Sequence, residues 1–512
     1  MQMSEQTVLV GGPALTPEDV VLVARRGARA ALHPDAQARI RGAYERIQSL
    51  SASGNPVYGV STGFGALSTT RIPREQWTQL QHSLVRSHAA GMGEPVEREV
   101  VRAMMLLRAR TLALGHSGVH PDTVAAVLAL LNAGITPIVP EHGSLGASGD
   151  LAPLAHFSLA LLGEGEVTDR EGRRVPAAEA LAQAGLEPIT LGPKEGLSLI
   201  NGTDGMLGML CLACIDLERL CATADVAAAM SVEALLGTDS AFDPAVQALR
   251  PHPGQAASAA NLMALMAGSE IVASHRENDD RVQDAYSMRC APQVLGAARD
   301  VLAYARGVVA IELGSAVDNP SVLDDGRLIS NGNFHGIPLG FAADFMAIAA
   351  AEIGAIAERR VDRMLDVTRS IGLPAFLGES PGVDSGLMIA QYTAAALVAE
   401  NRRLAAPASV DSIPTSGMQE DHVSMGWSAA HKLRRTLHNL TRILAVELLC
   451  AARALELRAP LAPAPATAAV TALIDPQPGP DRSPAPELER VAGLVASGAI
   501  LAAAEGEIGA LA

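Results

Sequence analysis

The sequence predicts a mainly α protein: an elongated bundle of long helices with a smaller mixed region towards the N-terminus. Three observations carry this reading. Hydrophobic residues make up 49% of the 512 but aromatic residues only 3%, so alanine, leucine and valine must fill the core, and small side chains favour close helix–helix contact over a β-sandwich. Apolar residues recur at helical spacing through several long runs. Strand signals are few and short.

The elements follow in chain order. "TVLVGG" near the start is the first strand candidate. "TPEDVVLVARRGARAAL" opens with Thr16 as N-cap and Pro17 in the first turn, and reads as a helix. "PDAQARIRGAYERIQSLSASG" starts a second helix at Pro34 and stops it before Gly54. "PVEREVVRAMMLLRARTLAL" keeps helical periodicity from Val96 to Leu114. Long helical runs follow at about 203–236, 290–316, 339–368, 384–406 and 425–457. "GRLISNGNF" near 326 is the other strand candidate. The charges of "AERRVDRMLD", 358–366, read as a solvated or subunit-contacting helix face. "APLAPAPATAA" from Ala459 reads as a connector to a final helical segment. These features divide the chain into 1–200, a helical bundle over 201–458, and a linker with terminal helices over 459–512. Between the helices lie three Gly-rich or polar stretches, 54–69, 139–150 and 317–337, where function is expected to sit on a rigid scaffold.

Composition narrows the partners. A net charge of -16 repels phosphate backbones, which argues against nucleic acid. The first residues show no basic stretch followed by an apolar one, and the apolar helices carry acids such as Asp344 and Glu352, so neither a secretion signal nor a clean membrane span is expected. Cys211 and Cys214 form a C-x-x-C inside an apolar run with no second ligand pair, so buried free thiols are expected, and no metal. This points to a cytoplasmic protein.

"GSLGASGDLAPLAH" concentrates small residues just before an apolar helix. It fits neither a G-x-S-x-G hydrolase elbow nor a P-loop. Taken alone the window also reads as a tight turn. Six further windows lie along the chain, two before this one and four after it: "VYGVSTGFG", "LVRSHAAGMG", "LSLINGTDGMLG", "VQDAYSMRCAPQVLG", "SNGNFHGIPLG" and "SGMQEDHVSMG". Together the seven resemble the aromatic amino acid ammonia-lyase and aminomutase family from about residue 56 to residue 426.

The resemblance implies that Ala147-Ser148-Gly149 cyclises, the Gly149 nitrogen attacking the Ala147 carbonyl with loss of two waters, one of them from the Ser148 hydroxyl. The product is 4-methylidene-imidazol-5-one (MIO), a built-in electrophile. Glycine allows the close backbone approach, and serine supplies the carbon that becomes the methylidene. No pyridoxal-phosphate lysine motif or metal set is visible, and MIO removes the need for one. The resemblance further implies that Tyr58 is the catalytic base. A phenol of pKa ~10 needs stabilisation of its anion for that role, from positive groups or backbone dipoles.

By the same resemblance, His88, preceded by Ser87, selects the substrate ring, and Asn201 holds the MIO group and the substrate amine. Gln283 binds the substrate, and Tyr286 helps to activate the MIO ring or to position groups around it. Arg289 clamps the carboxylate with two parallel N–H donors, which lysine cannot reproduce. If that stretch is helical, Gln283, Tyr286 and Arg289 share one side. Phe334 is an apolar wall. Glu420 accepts a hydrogen bond from imidazole or takes part in proton transfer. The Ser-His pair and Glu420 imply histidine as substrate, deaminated non-oxidatively to trans-urocanate and ammonia. The alternatives are a tyrosine or phenylalanine lyase, an aminomutase, or a non-catalytic scaffold relative. The family's homotetramer, with sites shared between subunits, is the expected assembly.

Overall fold

The computed structural model describes residues 6–52, 56, 58–277, 279 and 281–512. The expected helix stop at Gly54 lies outside them. The chain forms two compact units. One contains Met1–Cys214, Arg306–Asp344 and Pro407–His431; the other contains Ile215–Ala305, Phe345–Ala406 and Lys432–Ala512. The units are therefore not consecutive stretches, unlike the division at 200 and 458 read from the sequence. Four long helices, Asp204–Ala234, Ala291–Gly314, Ile337–Leu365 and Gly426–Glu456, contribute residues to both. All four lie where apolar periodicity placed them, as does Met388–Leu404.

The first unit is the mixed one. Strand Thr7–Val10 pairs in parallel with Arg29–Leu32. Between them helix Pro17–Ala24 starts on a capping box: Thr16 and Asp19 each accept a hydrogen bond from the other's backbone N–H. The expected helix does not continue to residue 32. It ends at Arg25, and Gly27 takes a φ of +70°, which turns the chain into the strand. A three-stranded antiparallel sheet runs in the order Thr136–Pro137, Glu166–Thr168, Arg174–Pro176. Ser321–Val322 pairs with Leu328–Ile329, close to the second strand candidate.

Helix Arg98–Ala113 is buried on nearly every side, and this includes Arg102, Arg108 and Arg110. Buried guanidinium groups need partners. Arg102 donates to the Leu131 and Val23 carbonyls at 3.1 and 2.9 Å, and Arg110 to those of Ser315 and Glu312.

In the second unit alanines sit in the core: Ala227, Ala228, Ala229, Ala451 and Ala452 are all fully buried. The 358–366 stretch is not simply a solvated face. Glu358 is buried, and Arg360, also buried, pairs with buried Glu447 at 2.5 and 3.0 Å. Ser231 Oγ donates to the same carboxylate at 2.8 Å. A helix, Pro465–Ile474, begins inside the expected connector; Pro465 falls in its first turn, where the missing N–H costs nothing. Ile337–Leu365 has the length and apolarity of a membrane span, but 67% of its most apolar window is buried inside the protein.

All five cysteines are free, and Cys211, Cys214, Cys221 and Cys450 are buried. Among the described residues no cluster of His, Cys, Asp or Glu could hold a metal ion.

Candidate active site

The small-residue loop sits at the start of helix Leu151–Leu161 and is held from several sides within the first unit. Gly146 and Gly149 have φ of +65° and +77°. A Cβ at Gly149 would lie 2.1 Å from the Gly202 carbonyl oxygen, and one at Gly146 2.1 Å from Ser424 Oγ. Neither position can take a side chain without movement of its surroundings. Asp150 N–H donates to Gly202 O at 2.7 Å, Met425 N–H to Leu145 O at 2.8 Å, and Ser424 Oγ to Gly146 O at 3.1 Å. The loop is thus clamped between residues 202 and 424–425, far apart in sequence.

Asp150 is fully buried and accepts the N–H groups of Gly205 and Met206, both at 2.9 Å, at the start of helix Asp204–Ala234. Ser144 Oγ donates to its other oxygen at 3.1 Å. Burial pushes the Asp150 carboxyl up from 3.8 to about 7, opposed by these hydrogen bonds. Below 3.8 the group is protonated whether the chain is folded or not. Between 3.8 and about 7 the folded chain keeps a proton that the unfolded chain has released. Asp150 therefore contributes stability that is complete below the lower value and is lost as pH rises through the upper one. Asp150→Asn should show a shallower fall in stability across that window than wild type, read from urea melts at a series of pH values.

A cavity of about 660 Å³ opens beside the loop. Tyr58, His88, Ser148, Asn201 and Glu420 line it, with an apolar wall that includes Phe64, Leu80 and Leu84. Ser148 Oγ donates to Glu420 Oε1 at 3.2 Å, and Thr415 Oγ1 donates to the other carboxylate oxygen at 3.1 Å.

His88 ends helix Trp77–His88. Its Nδ1 lies 2.9 Å from the Leu84 carbonyl. A carbonyl only accepts, so Nδ1 carries the proton and Nε2 is left as an acceptor. Burial lowers the His88 pKa; the bond to Leu84 and the charge of Glu420 oppose the shift. The neutral ring is the favoured form.

Tyr58 belongs to a loop anchored by Val60, which packs with Ala43, Ile47 and Val322. The Gly65 N–H donates to the Tyr58 hydroxyl oxygen at 3.1 Å, and Phe64 meets the ring edge-on. That amide is a backbone dipole of the kind a phenolate base requires.

Asn201 is 2% exposed. Its Nδ2 donates to Asn319 O at 2.7 Å, while its Oδ1 is buried with no hydrogen-bond partner among the described residues. A buried orphan oxygen on a cavity wall is placed to receive a donor from a group within the cavity.

Residues 15–476 match the aromatic amino acid lyase family. The chain belongs to that family. The lyase is 58% identical over 510 residues to the histidine ammonia-lyase of Streptomyces avermitilis, which covers 99% of this chain and 100% of that one. Its fold matches a tyrosine aminomutase from Streptomyces globisporus with a TM-score of 0.92 at 40% identity, over 98% and 99% of the two chains. It matches a histidine ammonia-lyase from Trypanosoma cruzi with a TM-score of 0.90 at 40% identity, over 98% and 96%.

Not every residue expected from the sequence lines this cavity of the lyase. Phe334 is half-buried and is not part of its lining. Gln283, Tyr286 and Arg289 belong to the second unit. The helix there is only Tyr286–Arg289, because Ala285 has extended backbone, so Gln283 does not share a helical face with the other two. Tyr286 is 72% exposed, and the Arg289 guanidinium stacks over its ring at 4.7 Å. Arg289 Nε also donates to the Asp284 carbonyl at 3.0 Å.

Other residues of the lyase support the site without having been singled out in the sequence. Fully buried Arg108 donates to Asn201 O at 3.1 Å and pairs with Asp204 at 2.9 Å; Thr111 binds the other Asp204 oxygen at 3.0 Å. Buried Lys194 pairs with Asp318 at 2.8 Å and so holds the turn that carries Asn319. The available signal was a charge at a position where helical periodicity demanded an apolar residue, as in "LLRARTL".

Proposed function

We propose that this lyase deaminates L-histidine to trans-urocanate and ammonia in the cytoplasm, using an MIO group formed from Ala147-Ser148-Gly149. The observation that carries the reading is the meeting of Ser148 with Glu420 in the cavity that His88 also lines. The loop fits the group: its glycines sit where no Cβ is tolerated, the Ser148 hydroxyl has a carboxylate partner, and Asn201 Oδ1 awaits a donor. Asn201 and the backbone of residues 146–150 would hold it. When formed, the group supplies the electrophile that lets an amine leave.

The chain's own residues do the rest. His88 Nε2 and the Glu420 carboxylate are two acceptors. A protonated histidine ring can offer an N–H donor to each of them, tyrosine only one O–H, and phenylalanine none. Tyr58 takes the β-proton; the electron pair left behind forms the Cα–Cβ double bond as the C–N bond breaks, and the proton leaves with ammonia. Arg289 grips the substrate carboxylate. Gln283, Tyr286 and Arg289 are absent from the lining of this cavity, and Tyr286 is exposed. The assembly we infer is a homotetramer in which neighbouring copies complete each site with these residues, Phe334 forming a further apolar wall.

Addition of L-histidine to the purified protein should produce urocanate absorbance. No absorbance, or a β-amino acid as product, would overturn the reading. Exchanging Arg289 for lysine should raise KM for histidine about tenfold, the worth of one charge-assisted bond; an unchanged KM contradicts the clamp. A panel of histidine, tyrosine and phenylalanine tests His88. His88→Leu should lower the preference for histidine by about tenfold or more, since a ring N–H then loses its acceptor. An unaltered preference would remove His88 from the specificity set.

A further inference from the structure

The break in the helix after Ala24 creates a second feature of the first unit. The turn Arg25–Ala28, strand residue Arg29, the start of helix Arg98–Ala113 and the loop at Arg170 enclose a cavity of about 340 Å³. Arg25, Arg26, Arg29, Arg98, Arg102 and Arg170 line it, and among the described residues no carboxylate does. The chain as a whole has 55 acidic and 39 basic residues, so this wall runs against the prevailing charge.

The six arginines are not equally engaged. Arg25 is paired with Glu99 at 2.5 and 3.1 Å. Arg102, 3% exposed, spends both terminal nitrogens on backbone carbonyls, and its Nε is buried without a partner among the described residues. Arg98 donates to Gly134 O at 3.3 Å. Arg26 and Arg29 are exposed and make no ion pair among the described residues. Burial, and then the charge of Arg98, pull Arg102 down to about 10, so it stays a cation at neutral pH in the company of other cations. Like charges gathered around one cavity repel, and an anion between them relieves the repulsion.

We propose that this cavity binds a compact anion with two or more closely spaced oxyanion groups, gripped by the guanidinium groups of Arg26, Arg29 and Arg98. Guanidinium forks match phosphate and carboxylate oxygens alike, each with two parallel N–H donors. A diphosphate group and a small polycarboxylate therefore share the chemistry that the cavity recognises. The volume of about 340 Å³ leaves room for an anion of that size. No residue lines both this cavity and the one holding Ser148, so the anion occupies a separate site.

Calorimetric titration of the purified full-length protein with pyrophosphate, and separately with citrate, at matched ionic strength tests this. The expected result is saturable binding of at least one of the two, one per chain, weakened by added sodium chloride. Which anion binds more tightly tells a phosphate ligand from a carboxylate one. The double variant Arg26→Ser, Arg29→Ser changes only exposed side chains. It should keep the wild-type circular dichroism spectrum and bind at least about tenfold more weakly, the effect of removing charge-assisted bonds. Saturable binding of neither anion, or equal binding by the double variant, would overturn the proposal.

Discussion

Replacing Ser148 with alanine is expected to leave a folded protein whose turnover of L-histidine is at least about a thousandfold slower, a loss of about 4 kcal/mol in transition-state stabilisation. The effect is this large because alanine has no hydroxyl to lose, so the electrophile cannot form and no side chain substitutes for it. The fold should survive. Ser148 gives up one hydrogen bond, to Glu420 at 3.2 Å, and the loop's other anchors run through backbone groups of Leu145, Gly146 and Asp150. Circular dichroism and urocanate absorbance on the same preparation check both halves. Turnover at the wild-type rate in Ser148→Ala would remove MIO from the mechanism.

Tyr58→Phe carries the second largest effect. The substitution removes one oxygen, leaves the ring in its edge-on contact with Phe64, and frees the Gly65 N–H that the hydroxyl accepts. Loss of a general base lowers kcat by about 10²–10⁴-fold. With the imidazole and carboxylate contacts assigned to other residues in the proposed mechanism, KM should change little. A fall in kcat at nearly constant KM is the signature of a group that acts in the transition state. A variant with full kcat would show that another residue takes the β-proton.

Much of this architecture was legible in the chain. Apolar periodicity located the long helices, because a buried helix must repeat its apolar face whatever it packs against. Thr16 and Pro17 marked a helix start through local capping chemistry alone. What the sequence left hidden depends on partners distant along the chain. Nothing local in "ARRGARAAL" says that Ala30 and Ala31 lie beside Val8 and Leu9 in a parallel pair, which ends the helix early. The charge alternation at 358–366 resembles a solvated face, yet Arg360 finds Glu447, 87 positions away, and both are buried.

The site divides in the same way. Ser148, Tyr58, His88, Asn201 and Glu420 were named from their windows, and the fold brings all five to one cavity. Arg108, Asp150 and Lys194 were not, because each acts by holding backbone or a charge contributed from elsewhere. Spacing puts Gln283 on a shared face only if the stretch is helical, and the extended backbone at Ala285 takes it off that face.

The intact mass of the purified wild-type chain tests the central claim most directly. Ring closure at 147–149 predicts a polypeptide lighter than its translated sequence by two waters, with the deficit confined to the peptide that contains Ser148. A chain of full translated mass would contradict the account.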